Sequence, residues 1–205
     1  MKALTFFFLC EGRSDEPLVE HLELLVTRAG ATSALGIPRS GGGSVQQKLQ
    51  TLLDDGVQFD FVVVHRDADG RDPAGRLTEV TDALAEAGIT GCPVVPVQMT
   101  EAWLLADEMS IRRAVGRPSG RTSLGLPRPS ALERLHDPKT ALKEALLAAS
   151  EATGSRRRKV AREWTTQRRI LVQRLDVDGP VCELPSWQRL VEDVSTTVRR
   201  VLHDD

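Results

Sequence analysis

The chain of 205 residues contains no tyrosine, three cysteines and only 4% aromatic residues. Without a tyrosine it cannot itself form a phosphotyrosine link to a nucleic-acid end. Cys10, Cys92 and Cys182 are scattered and odd in number, a pattern of reduced cytoplasmic thiols that offers neither a disulfide framework nor a zinc site. No apolar run is long enough to span a membrane. The opening run ends at Glu11 and lacks a small-residue cleavage site, so no signal peptide is expected. A strong charge of one sign is also missing. The formal net charge of -2 excludes a generally basic nucleic-acid coat and leaves room for a local basic surface. No lysine lies between Lys48 and Lys139, where a receiver-type phosphotransfer protein would need one on a late strand.

What is present is a rhythm. Leu4 to Cys10 is apolar without alternation, as a strand buried on both faces should be. Glu11-Gly12 breaks it, Ser14 or Asp15 can cap a helix, and Leu18, His21, Leu22, Leu25 and Val26 then recur at helical spacing up to Gly30. A short strand is predicted near Ala34 to Pro38, a helix from Val45 to Leu53, the central strand from Phe59 to Val64, and a helix from Asp72-Pro73 to about Ala87. Pro93 to Val97 completes the strands and Thr100 to Asp107 opens another helix. Strand alternating with helix predicts right-handed crossovers and an α/β fold with a mostly parallel sheet of about four strands flanked by helices. Beyond Asp107 only helical patterns follow, at Ala131 to Leu135, Pro138 to Ala149, Arg156 to Leu175 and Trp187 to Leu202. In the third, Val160, Trp164, Leu171 and Leu175 form an apolar stripe with arginines on the remaining faces. The expected division is an α/β part over residues 1–107 and a helical C-terminal extension over 108–205.

Chemistry concentrates in acids at predicted strand ends, where open α/β sheets bind their ligands. Asp67 and Asp69 are two residues apart and point the same way on an extended chain, so both can reach one ion. Hard oxygen ligands without neighbouring His or Cys favour Mg²⁺ or Mn²⁺. Such an ion keeps positions for water and phosphate oxygens, as phosphoryl transfer requires. The competing interpretation is a turn with a helix cap, but Asp72 before Pro73 already fills that duty. An EF-hand is excluded, since Gly70 comes too early and Arg71 stands where an acid is needed. Glu11, if adjacent, becomes a further ligand or a general acid or base. Glu101 serves either as a first-turn acid behind a Thr100 cap or as an assisting acid.

The segment Cys10-Glu11-Gly12-Arg13-Ser14-Asp15-Glu16 resembles the glutamate motif of the TOPRIM domain, and Val64-His65-Arg66-Asp67-Ala68-Asp69-Gly70 resembles its Asp-x-Asp motif. Thr100-Glu101-Ala102-Trp103-Leu104-Leu105-Ala106-Asp107 is similar to a stretch of the bacterial TOPRIM-like DUF4276 family. The resemblance covers the first half of the chain well and the helical half loosely. It implies a TOPRIM-like fold in which Glu11, Asp67 and Asp69 hold Mg²⁺ or Mn²⁺, with Glu101 assisting in phosphodiester chemistry. With no tyrosine and no cysteine cluster, the nuclease branch is the better match. The implied partners are nucleic acid, DNA ahead of RNA, and an ATPase in a phage-defence setting; a homodimer is left open and no membrane is involved. The alternative is a non-catalytic nucleic-acid-binding or sensing subunit of such an ATPase complex.

The remaining candidates are cationic. Arg13 and Arg66 flank the acids, while Arg117 and Arg121 lie in a Gly/Pro/Ser-rich stretch from Gly116 to Pro129. The run Arg156-Arg157-Arg158-Lys159 is the densest positive charge and suits a phosphate backbone, although such runs are usually solvated faces. Arg66 is expected to balance nearby acids, His65 to be a packed strand-end histidine, and Trp103 and Leu104 to be core. Ser40-Gly41-Gly42-Gly43-Ser44 lacks the ending of a Walker loop and is expected to be a flexible loop capped by Ser44.

Overall fold

Apolar strands without alternation need cover on both sides, and the fold supplies it. The computed structural model describes residues 2–68 and 72–203. Four parallel strands, β1 (Ala3–Cys10), β2 (Ser33–Ser40), β3 (Phe61–His65) and β4 (Gly91–Val94), form one sheet in the order β2-β1-β3-β4. The helices α1 (Leu18–Arg28), α2 (Val45–Asp54) and α3 (Pro73–Glu86) connect them. Because side chains alternate along a strand, β1 sends Leu4, Phe6, Phe8 and Cys10 to one face and Phe7 and Leu9 to the other. In β3, Phe61 and Val63 join the first face, and Val62 and Val64 the second.

The second face is small and is covered by α2 and α3 through Val45, Leu49, Leu52, Val80, Ala83 and Leu84. The first face is covered by α1 and by the C-terminal helices, which share its core. The C-terminal helices are α4 (Glu101–Leu104), α5 (Glu108–Ala114), α6 (Pro129–Leu132), α7 (Pro138–Ala149), α8 (Gly154–Arg162), α9 (Trp164–Gln173) and α10 (Pro185–His203), and each but α8 contributes residues to that core. Trp103 and Trp187 anchor this layer, with ring centroids 5.0 Å apart in an edge-to-face arrangement, and the Trp103 indole N–H donates to Ser186 Oγ at 2.7 Å. Among the described residues no helix is long and apolar enough to cross a membrane.

The caps follow the sequence in part. Ser44 closes a reciprocal capping box with Gln47, and Asp72 accepts from the Ala74 amide. Ser14 and Asp15 do not cap α1, which starts later with Pro17 before its first residue. The predicted single helix from Arg156 to Leu175 is divided at Glu163. The reason lies in burial. α8 has no buried residue, whereas α9 docks through Gln167, Arg168, Leu171 and Val172.

The strands wind outward from the centre in both directions. β1 leads to β2 on one side and β3 to β4 on the other, so the order reverses between β1 and β3. Residues just past those two strands stand at the topological switch point. Both edge strands carry a proline, Pro38 in β2 and Pro93 in β4.

Close packing of β4 makes one glycine indispensable. A Cβ on Gly91 would lie 2.4 Å from the Val62 carbonyl oxygen, which cannot move aside. Gly91→Ala is expected to cost about 3 kcal/mol. Gly75→Ala, in the first turn of α3 where an added methyl meets nothing within 4 Å, should gain about 0.5–1 kcal/mol. Chemical denaturation of the two variants checks this; equal stabilities would contradict the β4 packing.

Candidate functional site at the strand ends

The parity of the strands sorts the strand-end residues. Asp67 follows His65 and Val63 in facing α1 and the C-terminal helices, while Arg66 follows Val64 and Val62 toward α2 and α3. Glu11 follows Leu9 and Phe7 toward the same side as Arg66. The two meet there, with Arg66 Nη1 2.7 Å from Glu11 Oε1 and Arg66 Nη2 3.5 Å from Glu79 Oε1. Arg66 therefore balances acids, as expected from the sequence. Glu11 and Asp67, which the sequence placed around one ion, are directed to opposite faces of the sheet.

Asp67 instead meets the loop after β4. Its Oδ1 accepts from the Thr100 amide at 3.1 Å and the Thr100 hydroxyl at 3.5 Å. Thr100 consequently makes no side-chain cap on α4. Gln98, two residues earlier, holds a left-handed backbone with φ of 65° in that same loop. The His65 imidazole is fully buried, with Nε2 3.2 Å from Thr100 Oγ1 and 3.4 Å from Asp67 Oδ1, and Nδ1 without a partner among the described residues. Burial pulls the His65 pKa down, but the Asp67 hydrogen bond and charge, with Asp15 and Glu11 further off, outweigh it and leave a net rise.

The residue that organises the cleft is Arg168 of α9. Its Nε donates to Glu101 Oε1 at 2.8 Å, its Nη2 to Asp15 Oδ1 at 2.7 Å, and its Nη1 to the Ser14 carbonyl at 2.9 Å. The three side chains are only 5–8% exposed. Burial works to lower the Arg168 pKa, yet Glu101 and Asp15 overcome it and push the pKa upward, so the guanidinium stays charged. Glu101 is thus an ion-paired acid deep in the structure and not a solvated first-turn residue. The sequence offers Asp15 as a helix cap and not as an ion-pair partner, and Arg168 is not among its candidates. The signal for Arg168 was available: it falls between Trp164 and Leu171 on the very stripe that α9 buries, where a cation needs a partner.

Asp15, Asp67, Glu101 and Arg168 line one cleft of about 320 Å³, with Ser14, Met99, Lys139, Trp164 and Thr165 completing its wall. Asp67 Oδ2 makes no hydrogen bond among the described residues, so one hard carboxylate oxygen remains open toward the cleft. Mg²⁺ asks for one or two such oxygens and fills its remaining positions with water and substrate, and Asp67 fits that demand. Among the described residues no group of three His, Cys, Asp or Glu side chains is arranged to hold a metal ion. Asp69 lies outside the described residues.

Arg13, Arg117 and Arg121 are exposed, as are Arg156, Arg157, Arg158 and Lys159 on α8. That helix begins at Thr153 without a side-chain cap and has no acid in its first turn, so its cations face the positive end of the helix dipole unrelieved. Burial, aided at Cys10 by Asp15 and Glu16, pushes the Cys10 and Cys92 thiols up to about 12, which disfavours their thiolates. Comparison of the chain with protein-family models, with curated proteins and with solved structures gives no match.

Two measurements test this geometry. Arg168→Met leaves Glu101 and Asp15 buried without their cation and is expected to cost about 3–5 kcal/mol. Adding Glu101→Gln to it should cost less than the sum of the single changes, and strict additivity would contradict the pairing. His65, with its folded pKa raised above the ordinary 6.5, contributes stability that is full below pH 6.5 and is lost as pH rises through the folded value. An NMR titration of the imidazole should show that elevated midpoint, and Asp67→Asn should lower it. A midpoint below 6.5 in the parent would refute the Asp67 contact.

Proposed function

We propose that the chain is a Mg²⁺- or Mn²⁺-dependent nuclease that hydrolyses phosphodiester bonds at the cleft beneath α9. The observation that carries this reading is the convergence of Asp15, Asp67 and Glu101 on one cleft at the carboxyl ends of parallel strands, beside the switch point. Asp67 would hold the ion through its open oxygen, with Asp69 as the expected second ligand. When bound, such an ion polarises the phosphodiester and makes its water acidic enough to attack at neutral pH. Lys139 lines the cleft, and its ammonium would meet a non-bridging phosphate oxygen of the substrate. Arg168 keeps Asp15 and Glu101 fixed, so the wall of the cleft is preorganised before substrate arrives. Thr100 positions Asp67, and His65 packs behind both. Glu11 acts from the other face, where its pairing with Arg66 makes it a support for the strand-end loop and a less direct participant. The resemblance to TOPRIM motifs in the sequence points to the same chemistry, with DNA as the preferred substrate.

A second reading is favoured by α8, whose uncapped and wholly exposed array of arginines is suited to a phosphate backbone. The chain would then be a non-catalytic nucleic-acid-binding subunit of an ATPase-containing complex. Cleavage of a DNA and RNA panel with Mg²⁺, Mn²⁺ or EDTA separates the two. The nuclease reading expects metal-dependent cleavage that falls at least about 100-fold in Asp67→Asn, together with weaker Mn²⁺ binding by electron paramagnetic resonance. Salt-sensitive binding without cleavage, lost when Arg156 to Lys159 are neutralised and indifferent to Asp67→Asn, would establish the second reading in its place.

A further inference from the structure

The glycine-rich loop after β2 has no part in the acidic cleft. It borders a separate cavity of about 220 Å³ on the α2 side of the sheet, walled by Leu9, Thr51 and Leu52, by the cations Arg39 and Lys48, by the acid Asp55, and by Ser40, Gly41 and Gly42. The N-terminus of α2 does not face this cavity as a free donor, since Ser44 takes the Gln47 amide. The cations come from side chains.

We propose that this cavity is a phosphate-binding site built on Lys48 and Arg39. Lys48 reaches from α2 to the end of β1, donating to the Cys10 carbonyl at 3.0 Å, which uses one of the three ammonium donors. Among the described residues no carboxylate pairs with it. Its ammonium is partly buried, and the nearby Arg66 guanidinium adds repulsion. Both effects lower its pKa, with Glu11 opposing them, so a bound anion would relieve a cost the fold already carries. Arg39 lies over the Phe7 ring, 5.4 Å from its centroid, which directs the guanidinium along the cavity wall. Its present partner, Asp55, is a half-exposed carboxylate at 3.4 Å, a loose pair that an arriving phosphate can replace. Gly41 and Gly42 place no side chain over the opening, and a Cβ on either would meet nothing within 4 Å.

The cavity and the acidic cleft lie at the same end of the sheet, on opposite faces. A nucleic-acid strand crossing the switch point would rest one phosphate here and present another to Asp67. That role rests on the nuclease reading; the phosphate site itself does not.

Calorimetric titration in EDTA, using inorganic phosphate in one arm and the dinucleotide TpT in another, tests the site without any metal. Binding with Kd at or below about 1 mM is expected, weakened about tenfold in Lys48→Met and tightened in Asp55→Asn, with Lys48→Arg retaining most of it. Amide shifts in an NMR titration should centre on Ser40 to Gly42. Asp67→Asn should bind phosphate as the parent does, which separates this site from the nuclease reading. Preference for TpT over phosphate assigns the site to a nucleic-acid backbone, and the reverse assigns it to a free phosphate. Absence of binding in both arms, or equal binding by Lys48→Met and the parent, would overturn the proposal.

Discussion

One guanidinium joins the two halves of this chain at its most polar point. Arg168 comes from a helix late in the sequence and reaches Glu101 at the start of α4, and Asp15 and the Ser14 carbonyl in the loop after β1. A buried cation of this kind does little for net stability compared with an apolar isostere, but it is intolerant of losing a partner. The consequence is positional. The β1–α1 loop and the start of α4 cannot drift apart while α9 is docked, and α9 cannot lift without leaving two carboxylates uncompensated. The apolar packing of Trp103 against Trp187 secures the same layer from below.

The second constraint is the two-residue period of the strands. It sends Asp67 and Arg66 to opposite faces although they are neighbours, and it groups Glu11 with Arg66 and Lys48 away from Asp67. The carboxyl end of the sheet thereby carries Asp67 on one face and the Arg66–Glu11 pair, with Lys48, on the other.

Much of the fold was legible. The β1 run, the helical spacing after it, the Asp72-Pro73 start and the Ser44 cap all appear where local chemistry puts them, and α7 spans the predicted Pro138 to Ala149. The strand ends were less legible: β2 is longer than its Ala34 to Pro38 core, because it pairs along the whole of β1. The site was legible in residue type and not in arrangement. Nothing local says that Asp15 forgoes capping for an arginine over 150 residues away, nor that Thr100 turns its hydroxyl toward Asp67. Those choices belong to tertiary docking. The parity argument that separates Glu11 from Asp67 was available from the sequence once the strand ends were fixed, and an error of one residue there reverses it.

The prolines in β2 and β4 bear on how this molecule meets others. A strand edge ordinarily offers a ladder of amides to any extended peptide, and proline removes a rung. In β4 the carbonyls of Thr90 and Val94 turn inward to β3, which leaves Pro93 on the outward rim with no amide to offer. The β4 rim therefore offers a would-be neighbouring strand one amide fewer.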